Sequence, residues 1–140
     1  MFPALDVSTS ALTAQRMRLN AISSNIANMS TTRNEAGESK PYDARYVVFE
    51  TAPEIGKAPG AAGVKVKEIG SEEQEPIWKF QPGHQDAVKE GPRAGWVAYP
   101  RISLMTEFTD AIEATRAYEA NVGVIEVTKD ISQQTLRILA

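Results

Sequence analysis

The chain of 140 residues contains no cysteine, which removes disulfides, thiolate metal sites, iron–sulfur clusters and cysteine nucleophiles together. Histidine is nearly as scarce: His84 is the sole imidazole, so a metal centre would have to be assembled from carboxylates. No apolar run approaches the roughly 20 residues that a bilayer-spanning helix needs. The stretch from Val122 to Ile125 is already interrupted by Gly123, and no membrane insertion is expected. Positive charge is short as well. Fifteen Lys and Arg face 18 Asp and Glu, a net of −3, the wrong sign for neutralising phosphates, so nucleic acid is not an expected partner. The first 20 residues lack the basic region, apolar core and small-residue cleavage site of a secretory signal, so any export is expected to leave the N-terminus uncleaved.

Helix breakers are missing from both ends. All prolines but Pro3 and all glycines but Gly123 fall between Gly37 and Pro100. The chain therefore divides into a helical arm at residues 1–35, a turn-rich segment at 36–100 and a second helical arm at 101–140. With 42% apolar and 24% charged residues, the whole has the composition of one soluble folding unit.

In the first arm Leu5, Leu12, Leu19 and Ile26 recur every seven residues, with Ile22 and Met29 at intermediate positions, a narrow apolar seam. Asp6 or Ser8 is placed to cap the helix, and the run from Asn28 to Thr32 to end it. In the second arm Leu104, Phe108, Ala111, Thr115, Tyr118, Val122, Ile125, Lys129, Ser132, Leu136 and Leu139 alternate spacings of four and three, with Ser103 as N-cap. That helix would run roughly 55 Å, longer than a compact globule of this mass is wide. The middle offers β-prone runs at residues 46–49, 64–69, 77–80 and 96–99, a flexible connection at 53–63 and an acidic one at 71–75. The expected class is α+β, with two long antiparallel terminal helices forming a coiled-coil domain and a small β-rich insert.

An apolar stripe at helical spacing serves equally as the core of a monomeric bundle. The breaker-rich middle supplies no third or fourth helix to complete one, which favours covering the seams with other chains. Catalytic patterns are absent around every serine, and Gly60-Ala61-Ala62-Gly63 lacks the lysine and helix of a phosphate loop. His84 sits in Gln81-Pro82-Gly83-His84-Gln85-Asp86, which reads as a turn, and Glu72-Glu73-Gln74-Glu75 reads as a solvated loop. No enzymatic activity, cofactor, metal or small-molecule substrate is expected. Polar residues on the arms stand out more. Asn20, Asn25 and Asn28 lie in a helix that Asn disfavours, Arg116 can pair with Glu113 or Glu119, and Tyr118 puts a hydroxyl on the seam.

At these residues the sequence resembles a known group. Leu5-Asp6-Val7-Ser8 through Ser24-Asn25-Ile26-Ala27-Asn28, with Thr31-Thr32 after it, is similar to the N-terminal signature of bacterial flagellar axial proteins. Arg116-Ala117-Tyr118-Glu119-Ala120-Asn121-Val122 is similar to the C-terminal end of the rod and hook group, and residues 82–87 and 96–100 resemble its proximal-rod members. The resemblance implies a structural subunit of the proximal rod in the flagellar basal body, exported by the flagellar type III apparatus and placed in the periplasm. It implies helical polymerisation through the terminal helices around a channel, with copies of itself and the rod proteins FlgB, FlgF, FlgG and FliE as partners. Subunit contacts are then expected at Leu12, Leu19, Ile22, Asn25, Ile26, Asn28, Phe108, Arg116, Tyr118, Asn121, Val122, Ile125, Leu136 and Leu139. The alternatives are an axial protein of the FlgB, FlgF or FlgG type, a cytoplasmic helical adaptor and, more remotely, a carboxylate enzyme with a bound cofactor.

Overall fold

The computed structural model describes residues 3–139, in the order α1 (Pro3–Ala27), β1 (Ala44–Ala52), β2 (Gly63–Glu72), β3 (Ile77–Phe80), β4 (Trp96–Tyr99) and α2 (Leu104–Leu139). The α+β class and the four strand locations follow the pattern of breakers. Three local expectations are corrected. The first helix opens at Pro3, five residues before Ser8, because proline's fixed φ suits the first turn of a helix. Asp6 then favours the turn through its charge, and Ser8 is buried within the helix. Strand β2 takes in Ser71 and Glu72, where pairing with Arg45 and Ala44 outweighs the poor strand propensity of acidic residues. The 53–62 connection folds into successive turns and seats Gly56 against Val7 of α1.

At the far end of α1 the Asn28 side chain donates to the Ser24 carbonyl at 2.9 Å and accepts from the Thr31 hydroxyl, so the helix stops where expected. The α2 start also matches, with the Thr106 amide donating to Ser103 Oγ. Strands β1 and β2 form an antiparallel hairpin paired from Ala44↔Glu72 to Ala52↔Gly63. The register slips between Val48 and Phe49, which leaves Lys67 as the extra residue of a bulge. A second two-stranded sheet pairs β3 with β4, its end closed by an edge-on contact of Phe80 and Trp96 at 5.6 Å.

α1 is central. Among the described elements it alone touches both α2 and the β1–β2 hairpin, whereas β3–β4 contacts neither helix. That outer sheet is fastened through a loop. Asp86, buried, accepts from the Thr32 hydroxyl at 2.7 Å and from the Arg33 guanidinium, and its backbone carbonyl accepts from Ser39. The Thr32 bond first, and the Arg33 charge after it, hold the Asp86 carboxyl below the usual carboxylate range against the opposing effect of burial. His84 stabilises this turn, accepting the Asp86 amide on Nδ1 at 3.1 Å.

The interior is thin. Among the described residues the buried apolar ones are Ala14, Ala21, Ile22, Ala52, Val97 and Ala114, only two of them larger than alanine. The chain exposes 9583 Å². A compact monomer of 15.3 kDa exposes about 7,100 Å², so roughly 2,400 Å² more lies open than size requires.

Gly63 shows how closely the hairpin is seated. A Cβ there would stand 2.7 Å from Ile55 and 2.9 Å from Ser10 Oγ, the atom that accepts the Val64 amide. Gly63→Ala is therefore expected to lower stability by about 1–3 kcal/mol, measured by urea denaturation, by pushing the hairpin off α1.

Candidate assembly interface

The two terminal helices lie side by side and antiparallel. Arg18 pairs with Asp110 at 3.6 Å and Glu113 at 3.3 Å, while Asn25, two turns further along α1, reaches back to Glu107 at 3.2 Å. Helix α1 is about 37 Å long and α2 about 54 Å at 1.5 Å per residue. Because the α2 start is level with the α1 end, the excess of some 16 Å projects entirely at the C-terminal end of α2.

Small and polar groups line the contact between them. Ala114 is fully enclosed, and α1 is the only element against which α2 packs among the described residues. The face of α2 turned to α1 runs through Glu107, Asp110, Ala114, Ala117 and Asn121. This face is rotated from the predicted seam, whose Phe108 is 51% exposed. On α1 the enclosed residues are Ser8, Ala14, Ala21, Ile22 and Asn25, while Leu5, Leu12, Leu19 and Ile26 are only half covered.

Asn25 joins three elements. Its amide nitrogen donates to the Arg45 carbonyl at 2.9 Å and to the Glu107 carboxylate, and its oxygen accepts the Arg45 amide at 2.7 Å and the Tyr42 hydroxyl at 3.3 Å. All four hydrogen-bonding positions of the side chain are thus occupied inside the chain. Asn25, expected as a contact between subunits, locks the root of β1 to both helices within the chain. Burial pushes the Glu107 carboxyl above its usual range; the Asn25 amide partly offsets this and the Asp110 charge adds to it.

The remaining predicted residues fall into two groups. Asn28, Asn121, Val122 and Ile125 are half-buried, with the Asn121 amide bonded back to the Ala117 carbonyl at 2.8 Å. Arg116, Tyr118, Leu136 and Leu139 face outward. Glu113 takes Arg18 as its partner, and Arg116 forms no ion pair among the described residues. Met105, Ile112, Val124, Val127, Ile131 and Ile138 are exposed apolar residues of α2 that the predicted contact set lacks. Val124, Ile131 and Ile138, seven residues apart, widen the predicted stripe, whereas Met105, Ile112 and Val127 lie outside it.

The chemistry available is that of packing. Two open grooves, of about 760 and 540 Å³, flank the roots of the hairpin; the smaller is lined by Arg18, Asn25, Arg45, Glu107 and Asp110. Within these linings Arg18 pairs with Asp110 and Lys40 with Asp43, and no group of three His, Asp or Glu among the described residues is placed to hold a metal.

Comparison with known proteins gives this arrangement a context. The family model described as flagella basal body rod protein matches residues 5–33, and that described as flagellar basal body rod FlgEFG protein C-terminal matches residues 93–138. The flagellar basal-body rod protein FlgC of Borreliella burgdorferi is 36% identical over 152 aligned positions, covering 99% of this chain and 97% of its own length. FlgC of Bacillus subtilis is 36% identical, covering 98% and 97%, and FlgC of Escherichia coli is 35% identical, covering 95% and 93%.

Two substitutions test the Asn25 junction. Asn25→Ala strands the Arg45 backbone groups and should cost about 2–3 kcal/mol in urea denaturation of the purified chain. Glu107→Gln keeps an acceptor for Asn25 and removes a carboxylate whose ionisation the fold opposes. A raised folded pKa means the penalty is absent below the ordinary value of 4.5 and grows as pH rises past it. The variant should therefore be more stable than the parent at pH 7 and lose that advantage below about pH 4.5, as read from thermal melts across pH.

Proposed function

We propose, since this chain belongs to the family of flagellar basal-body rod proteins and is a structural subunit of the basal body and not an enzyme, that it acts by polymerising through its terminal helices. The helices of neighbouring copies pack as coiled coils in a helical array around a central channel, with residues 1–35 and 101–140 forming the inner layer and 36–100 the outer one. Its partners are further copies of itself and the rod proteins FlgB, FlgF, FlgG and FliE. It reaches the periplasmic rod through the flagellar type III apparatus with its N-terminus intact.

One observation carries this reading: the imbalance between what the subunit buries and what it leaves open. Among the described residues Ile22 and Val97 are the only buried apolar side chains larger than alanine, while Phe108, Ile131, Leu136, Leu139 and twelve comparable side chains are exposed. A standard protein contact takes about 800 Å² from each partner, so the surplus of roughly 2,400 Å² equals about three such contacts per subunit. A dimer uses one. Several different contacts on one subunit generate an extended lattice when their rotations do not close. The half-covered Leu12, Leu19 and Ile26 on α1, and Val122, Ile125, Leu136 and Leu139 on α2, are the residues this lattice completes.

Leu136 provides the test, because it projects beyond α1 and its loss leaves the subunit's own contacts intact. Leu136→Asp should leave the far-ultraviolet circular dichroism of the purified chain unchanged. Its recovery in isolated basal bodies should fall by at least about tenfold, since a buried carboxylate at a packed contact costs several kcal/mol, and swimming should be lost with it. Normal incorporation of the variant would refute assembly through α2.

A further inference from the structure

The sheet of β3 and β4 stands apart from the rest of the fold. Among the described elements it packs against neither helix nor the β1–β2 hairpin. Of the side chains on its two strands only Val97 is buried, which leaves its orientation to polar contacts. Two chain segments reach it, residues 73–76 from β2 and residues 100–103 on the way to α2. The rung beyond Ile77↔Tyr99 would pair Pro76 with Pro100, and neither proline has an N–H to donate, so the ladder stops at this neck. One hydrogen bond crosses the neck among the described residues, from Arg101 Nε to the Glu75 carbonyl at 2.8 Å.

Residues 77–99 are tied together as one body. The Val88 amide donates to the Trp96 carbonyl at 2.9 Å and the Gly95 amide back to Val88 at 2.8 Å, so the long loop travels with β4. At the loop's far end the His84 amide donates to the Gln81 carbonyl and the Ala87 amide to the His84 carbonyl, both at 3.0 Å, a turn that presents Asp86. The facing segment is closed as well, with the Tyr42 amide donating to the Thr31 carbonyl at 3.1 Å. Every hydrogen bond and ion pair that joins residues 77–99 to the elements beyond the neck, among the described residues, ends on Asp86. Its carboxylate accepts from Thr32 and Arg33, and its backbone carbonyl accepts from Ser39 at 3.3 Å.

We propose that residues 77–99 form a hinged panel, with the proline neck as its pivot and the Asp86 carboxylate as the one latch that holds it docked. Bonds to an ionised acceptor are about twice as strong as neutral ones, enough to seat a unit that has little apolar adhesion. A carboxylate left enclosed without those bonds is costly, so opening carries Asp86 into water and the panel is either latched or free. Release breaks no contact between elements: the β3–β4 ladder survives within the panel, and α1, α2 and the hairpin keep one another. The direction of the subunit's exterior is thereby set by a contact that can open, separately from the packing of its helices. No second chain is needed for this.

The chain has no cysteine, so spin labels can be attached at chosen pairs of introduced ones in the purified full-length protein. Lys79→Cys on β3 with Glu119→Cys on α2 reports the panel, and Lys67→Cys on the hairpin with Glu119→Cys is the reference; all three positions are exposed. In the parent, electron–electron double resonance should give a narrow distance distribution for both pairs. Asp86→Ala removes both bonds to the carboxylate and should shift the balance from docked to free by about a hundredfold or more, so that the panel distribution broadens while the reference stays narrow. Thr32→Val, on the other side of the latch, should broaden the same distribution. Trp78 and Trp96 are the chain's two tryptophans and both lie in the panel, so the near-ultraviolet circular dichroism of Asp86→Ala should match the parent's. A panel distribution that stays narrow in Asp86→Ala, or is already broad in the parent, would overturn the latch. Broadening of the reference pair, or loss of the tryptophan signal, would overturn the hinge, because Asp86 would then hold up the fold itself.

Discussion

Where α1 meets its neighbours the enclosed side chains are Ser8, Ala14, Ala21, Ile22 and Asn25, and Ala114 answers from α2, so Ile22 is the one large apolar side chain among them and little apolar area is buried. At about 25 cal/mol per Å², alanines contribute far less than the leucines and isoleucines that face outward. Polar groups provide the specificity that this contact lacks in bulk. Arg18 between Asp110 and Glu113, and Asn25 between Arg45 and Glu107, fix how far each helix slides along the other. A contact of this kind sets geometry more than it supplies stability, and it leaves the large apolar side chains of α2 exposed.

Membership of the rod family gives that division a purpose. A structural subunit that assembles with other rod components benefits from contacts that are individually modest and spread over different faces. The exposed large apolar side chains among the described residues lie on α2 and on the outer sheet, through Ile77, Phe80 and Trp96, with only Tyr46 and Ile69 on the hairpin. The hairpin, by contrast, commits its inner side to α1, down to the fit of Gly63 against Ser10. Asp86 ties the outer sheet to the segment after α1, so the orientation of the exterior is set from the same helix.

Much of this was legible in the sequence because proline and glycine mark boundaries by steric rules that hold locally. The two helices, the four strands and the turn around His84 all follow from that. The phase of the helices did not follow. Seam counting weights large apolar residues, so it includes the inward Ile22 but passes over the inward Ser8, Ala14, Ala21 and Ala114. Pro3 reads as a breaker unless its place in a first turn is recognised. Asn25 announced itself as an amide in a helix, but its partners are the backbone of Arg45 and the carboxylate of Glu107, which lie 20 and 82 residues away and leave no mark in local sequence. Ser71 and Glu72 joined β2 because their backbone was paired, which side-chain propensity does not report.

The position of α1 between the hairpin and α2 has a mechanical corollary. With no element contact running directly from the hairpin to α2, a push on the outer part of the subunit reaches the long helix only by way of α1 and the Asn25 amide. A side chain held at all four of its bonding points resists both sliding and rolling. Shear between the helices is therefore opposed at two points spaced two turns apart on α1, the Asn25 amide and the Arg18 ion pairs, so that the subunit acts as a bracket hinged on one helix.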